Sequence, residues 1–142
     1  MKIKGLYRLI FTALVVNLLG GCGKSSLSCS DAVVQDTVLE MVRQEFKKNL
    51  GLTINFDIDA SKINLEGIRT RSSDERRTEC AAHLTIQFEL LKAQKKDAAY
   101  KKDAAGMQQL IKLMSNAASR DITYLAERTD KGDDVYVTIR GQ

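Results

Sequence analysis

Between Glu79 and Leu90 the chain alternates with a period of two. Cys80, Ala82, Leu84, Ile86, Phe88 and Leu90 fall on one side, and Glu79, His83, Thr85, Gln87 and Glu89 on the other. A period this long predicts a strand with one buried and one wet face. The chain must therefore build a sheet around this strand and cover its apolar side. Leu52, Ile54, Phe56 and Ile58 alternate with Thr53, Asn55, Asp57 and Asp59, predicting a first strand. Ile63, Leu65, Ile68 and Thr70 suggest a second, with the apolar phase slipping at Gly67, where a bulge is expected. Ser72 to Glu75 reads as a turn. Ile122, Tyr124 and Ala126 lead through Thr129-Asp130-Lys131-Gly132-Asp133 to Val135, Val137 and Ile139, a hairpin across which Tyr124 and Tyr136 are expected to be neighbours.

Two segments change to the helical period and can supply the cover. From Asp31 to Asn49, Val34, Val38, Met41 and Val42 recur at helical spacing with Leu39 and Phe46 beside them. Ser30 or Asp31 is the expected N-cap, and Gly51 the expected stop. From Lys92 to Arg120 a near-duplication, Lys95-Lys96-Asp97-Ala98-Ala99 and Lys101-Lys102-Asp103-Ala104-Ala105, precedes a stripe through Met107, Ile111, Met114 and Ala118. The expected fold is α+β: an N-terminal helix packed on an antiparallel sheet of about four to five strands, with a second helix inserted before the C-terminal hairpin.

The N-terminus belongs to none of this. Lys2, Lys4 and Arg8 precede an apolar run from Leu9 to Leu19, eleven residues long, where a membrane-spanning helix takes about 20. This has the form of an export signal. It ends in Leu19-Gly20-Gly21-Cys22, which resembles the lipobox of bacterial lipoproteins. The resemblance covers this stretch alone. It implies cleavage before Cys22, diacylglycerol on the Cys22 thiol and a palmitoyl-type acyl group on the new amino terminus. In that family an Asp after the lipidated Cys retains the protein in the inner membrane. Here Gly23 takes that place, which implies the periplasmic side of the outer membrane of a Gram-negative cell. The expected organisation is a signal peptide over 1–21, a lipid-anchored tether over 22–28 and a single periplasm-facing domain over 29–142.

Cleavage also changes the charge. The whole chain carries +4, but the signal holds three basic and no acidic residues, so residues 22–142 keep 19 basic against 18 acidic. Nucleic acid is not an expected partner of so balanced a domain. Gly23-Lys24-Ser25 resembles the end of a phosphate-binding loop, but the required earlier glycine is Leu18. With Cys22 acylated, Cys29 and Cys80 remain as an even pair in an oxidising compartment, and a disulfide between them is expected. The alternatives are a metal site or a catalytic thiol, and the chain has one His to contribute.

Candidate chemistry is sparse. His83 lies on the wet face of its strand, and Asp57 and Asp59 share a face of theirs, where carboxylates can do acid–base work. A solvated surface produces the same pattern. Arg69, Arg71, Arg76 and Arg77 flank one turn and, with Tyr124 and Tyr136, form a candidate partner surface, although Asp74, Glu75 and Glu79 can neutralise it locally. No nucleophile, base and orienting group are patterned together, and no cofactor or metal is expected. The expectation is a small non-enzymatic lipoprotein that binds an envelope protein, in assembly, exclusion or immunity, or inhibition. The alternative is an envelope enzyme or small-ligand carrier using the polar sheet face around His83.

Overall fold

The computed structural model of the chain describes residues 27–130 and 134–140. The expected signal peptide, Cys22 and residues 23–26 lie outside these, as do residues 131–133, within the expected turn, and 141–142. The fold is α+β, as expected. Strands β1 (Phe56–Ser73), β2 (Arg77–Leu90), β3 (Arg120–Arg128) and β4 (Val135–Arg140) form one antiparallel sheet in that order. Helix α1 (Ala32–Lys48) covers the apolar face of the sheet with Val34, Val38 and Val42. Burying an aliphatic side chain stabilises by about 1.5–3 kcal/mol, so this stripe is a main attachment of helix to sheet. At the end where β2 finishes, Phe88 stacks on Phe56 with ring centroids 4.9 Å apart and takes the edge of Phe46 from α1 at 5.7 Å. Arg43 Nη1 donates to the Ile58 carbonyl at 2.6 Å and Lys47 pairs with Asp59, fixing α1 along β1.

The segment expected to hold two strands is one long strand. Leu52 and Ile54 do not belong to it: residues Leu50–Thr53 form a single helical turn, α2, because Asn49 Oδ1 accepts from Leu52 N at 3.3 Å. Asn49, not Gly51, therefore ends α1. Four apolar residues at period two were too short a pattern to outweigh a side-chain cap. β1 then shifts register against β2 between Asp57 and Lys62, between Glu66 and Arg69, and between Thr70 and Ser72. Ser61 stitches the first irregularity, its hydroxyl donating to Asp57 O at 2.7 Å and accepting from Glu89 N at 3.0 Å. The second is the bulge expected at Gly67, whose φ is 58°; an L side chain there sits in the left-handed region.

The inserted helix is three helices, α3 (Lys92–Lys96), α4 (Ala98–Lys102) and α5 (Ala104–Ala118). The breaks fall at the two aspartates of the duplication. Asp97 Oδ1 accepts from Ala99 N at 2.7 Å and Asp103 Oδ1 from Gly106 N at 3.0 Å, so each starts a new helix despite strong helix formers on both sides. A Cβ on Gly106 would lie 2.4 Å from Asp103 Oδ2, so a larger residue there would push the Asp103 carboxylate from its capping position.

Helix α5 solves a problem that strand lengths create. β3 pairs with β2 only as far as Leu84↔Arg120, which leaves the edge of β2 beyond Leu84 without a strand. Two α5 hydroxyls take over: Ser119 Oγ accepts from Ile86 N at 2.9 Å and Ser115 Oγ from Phe88 N at 3.0 Å. A helix thus replaces a strand along a bare edge.

Candidate functional site

The domain begins two residues earlier than the sequence suggests. Leu27 is buried, and its carbonyl accepts from the Thr78 hydroxyl at 2.7 Å. Ser28 N donates to Asp31 Oδ2 at 2.9 Å, which turns the expected capping carboxylate of α1 back toward the N-terminus. Ser28 and Leu27 therefore belong to the fold, not to a free tether. The disulfide Cys29–Cys80 follows at once, with its Cα atoms 5.7 Å apart. Both cysteines are buried, and Thr70 Oγ1 donates to Cys29 Sγ at 3.3 Å. A loop closed over 51 residues is stabilised by about 4 kcal/mol on the chain-entropy account.

The six residues of the expected partner surface do not come together. Tyr124 is fully buried and pairs with Ile139, whereas Tyr136 is 68% exposed and pairs with Glu127 on the opposite face. The two tyrosines are three register positions apart, an odd number that puts them on opposite faces, and they do not meet. Tyr124 instead donates to the Cys29 carbonyl at 3.5 Å, and burial pushes its phenol pKa up. Arg76 pairs with Asp130 at 3.1 Å and Arg77 with Glu127 at 2.8 Å. Asp74 Oδ1 accepts from Arg76 N and Arg77 N at 2.9 and 2.8 Å, and these backbone bonds hold its pKa below the usual carboxylate range. Arg69 lies in register with Ala81, and Arg71 falls at the last register shift of β1. Of the set, the arginines and Tyr136 are surface groups at the Leu27 end, and Tyr124 is core.

The polar sheet face does not assemble either. His83 Nδ1 lies 2.8 Å from Asp121 Oδ1, an exposed pair in register across β2 and β3. Asp57 accepts from Ala60 N at 3.0 Å and Asp59 pairs with Lys47 at 2.6 Å, each engaged locally. Asp57 lies opposite Glu89, six positions along β2 from His83, or about 20 Å. Among the described residues no group of three His, Cys, Asp or Glu side chains is placed to hold a metal ion, and no helix is long and apolar enough to cross a membrane.

A concave site does exist, at the end remote from Leu27. Phe56, Leu90, Tyr100, Met107, Ile111 and Met114 line most of a cavity of about 230 Å³ beneath α4 and α5. Tyr100, Leu90 and Ile111 also wall a polar groove of about 420 Å³, to which Lys95 and Lys112 contribute. Lys95 contacts Glu89, which raises the lysine pKa. Asn55, Gln94, Asp97, Ala99 and Leu110 complete the lining of the smaller cavity. Leu110 is 49% exposed and lines it, with Leu113 one turn on, also exposed. Ile54, whose carbonyl accepts from the cavity residue Gln94 at 3.4 Å, and Leu50 are 64% and 75% exposed.

Periodicity assigned Met107, Ile111 and Met114 to packing and gave Leu110 and Leu113 no place. Those two apolar residues off the stripe were the available signal for this site. They sit on the flank of α5 opposite Ser115 and Ser119, turned away from the edge of β2. No protein-family profile matches the chain, and no curated protein or solved structure matches it.

Proposed function

We propose that the protein is a small, non-enzymatic, membrane-anchored lipoprotein that binds a protein partner in the cell envelope, in an assembly, exclusion or immunity, or inhibitor role. In this reading Cys22 carries the diacylglycerol, its amino terminus carries the palmitoyl-type chain, and the domain stands on the periplasmic side of the outer membrane. The observation that carries it is the fixed position of Leu27. Five Cα steps separate it from Cys22, a reach of about 18 Å at full extension. A domain pinned this close to its acyl chains works at a membrane surface, where a partner must come to it. The reading is also supported by the side chains with catalytic potential. His83, Asp57 and Asp59 are occupied separately and share no common point.

Two measurements test it. Wild-type chain should fractionate with membranes at mature size, and Cys22→Ala should be released or left unprocessed. If Cys22→Ala still fractionates with membranes at mature size, the anchor assignment is wrong. Crosslinking in intact envelopes should return a protein partner. A bound small molecule, or a turnover abolished by His83→Ala, with no protein captured, would replace this reading with the enzyme or carrier alternative.

A further inference from the structure

We infer that the cavity under α4 and α5 is the docking point, and that its occupant is an acidic segment of a protein partner that inserts a bulky apolar side chain. The inference rests on the partner-binding reading above and says where and with what chemistry the partner is held. The first argument is charge. Between residues 92 and 112 the chain has six lysines and two aspartates, a net of +4, while the rest of residues 22–142 carries 13 basic and 16 acidic residues, a net of −3. All the insert lysines are exposed, and both aspartates spend an oxygen on a helix N-terminus. The near-neutral whole hides a polarised molecule, and the basic insert supplies most of the cavity lining, its lysines lying outside the hole and Asp97 being, among the described residues, the one charged residue within it. A negative partner surface is drawn to this end and repelled from the remainder.

The second argument is size. Small-ligand pockets run from about 300 to 1,000 Å³, and this one holds about 230 Å³. That volume suits one or two anchoring side chains, the way a few buried residues dominate protein interfaces. Leu110 lines the cavity yet is half exposed, and Leu113 on the same helix and Ile54, next in sequence to the lining residue Asn55, are exposed outside it. A small ligand inside the cavity would leave Leu113 and Ile54 in water, whereas a macromolecule can cover them. The third argument is position. Leu27 is tied to Thr78 near the start of β2, and Leu90 at its other end lines the cavity. Twelve strand residues separate the two by about 40 Å, beyond the roughly 18 Å of tether. In the anchored reading the cavity thus lies at the end of the sheet remote from the acyl chains, where a protein partner can reach it; lipid headgroups are an outcome the test separates.

The test places a photo-crosslinking amino acid, in the full chain in intact cells, at Leu110 or Leu113, and at Tyr136 or Arg140 on the opposite sheet face. All four are exposed, so the fold should tolerate each. The expected result is a protein adduct from Leu110 and Leu113. Its crosslinked peptide should be acidic around a large apolar residue, and its yield should drop about tenfold in Lys101→Glu/Lys102→Glu. Adducts confined to Tyr136 and Arg140 would overturn the docking site and leave the partner reading standing. Adducts at Leu110 that are lipid, a second copy of this chain or a basic peptide would overturn the proposed occupant, as would an unchanged yield in the double lysine variant. No protein adduct at any position would overturn both readings.

Discussion

Replacing Ser115 with Ala should destabilise the domain by more than a surface serine ever does. The hydroxyl is the acceptor for Phe88 N at 3.0 Å, and the serine and Phe88 are both buried. Removing it leaves a strand amide without a partner, which costs about 1–3 kcal/mol when water cannot reach it. Alanine recovers up to about 0.5 kcal/mol through its better helix propensity. The net expectation is about 1–2 kcal/mol, or a fall in Tm of about 3–8 °C for a domain of this size. Ser119→Ala removes the acceptor for Ile86 N and also the bond from its own hydroxyl to Ser115 O at 2.9 Å. Because Ser119 is only partly buried, its cost should be smaller. Asn116→Ala, exposed on the same helix, is the control and should stay within about 0.5 kcal/mol of wild type. Urea unfolding gives the free energies, and amide exchange at Phe88 should accelerate in Ser115→Ala. If Ser115→Ala matches Asn116→Ala in stability and Phe88 exchange is unchanged, α5 does not serve as the surrogate fourth neighbour of this edge.

Three further outcomes follow from the geometry. Cys29→Ser/Cys80→Ser should lose about 4 kcal/mol on denaturant unfolding, and intact mass without reduction should show the wild-type pair oxidised; a loss under about 1 kcal/mol would mean the closed loop hardly constrains the unfolded chain. Gly67→Ala should cost about 1–2 kcal/mol from backbone strain alone, since nothing lies within 4 Å of the added Cβ; unchanged stability would show that the bulge relaxes freely. Asp74 has its pKa lowered by the Arg76 and Arg77 amides, so its contribution is complete above the unfolded value near 3.9 and is lost as pH falls through the lower folded value. The Arg76 and Arg77 amide resonances should therefore move together only in acid below about pH 4, and a shift centred above that would refute the assignment.

Long, regular patterns in the sequence survived folding, and short ones were overruled by single polar side chains. The alternation through Cys80 to Leu90 is β2, and the stripe of Val34, Val38 and Val42 is the buried face of α1. The phase slip at Gly67 became a bulge because one extra residue reverses which side faces the core. Leu52 and Ile54 look like strand, but Asn49 caps a helical turn there. Lys92 to Arg120 looks like one helix, but two aspartates satisfy the amides just after them and divide it. The tyrosine pair failed for a different reason. Hairpin register depends on the turn, and the observed register sets Tyr136 opposite Glu127, which places Tyr124 on the core face. The cavity was invisible to pattern reading because it joins the start of β1, the end of β2 and the helical insert, segments that only tertiary packing brings together.

The same packing gives β2 a role that no single pattern suggests. Cys80, near its start, is bonded to the residue two after Leu27, so any force on the N-terminus enters the sheet through this strand. Leu90, its last residue, lines the cavity. Between them the strand is hydrogen-bonded to β1 along one edge, and to β3 and then the α5 serines along the other. The disulfide and the cavity are therefore at two ends of one continuously supported element. A strand paired on both sides opens only with the sheet around it, so it holds the cavity at a fixed distance from Cys29. The disulfide and the two serines then have one shared consequence, because loosening either end of β2 would let the cavity move relative to Leu27 and Cys29 while leaving its lining intact.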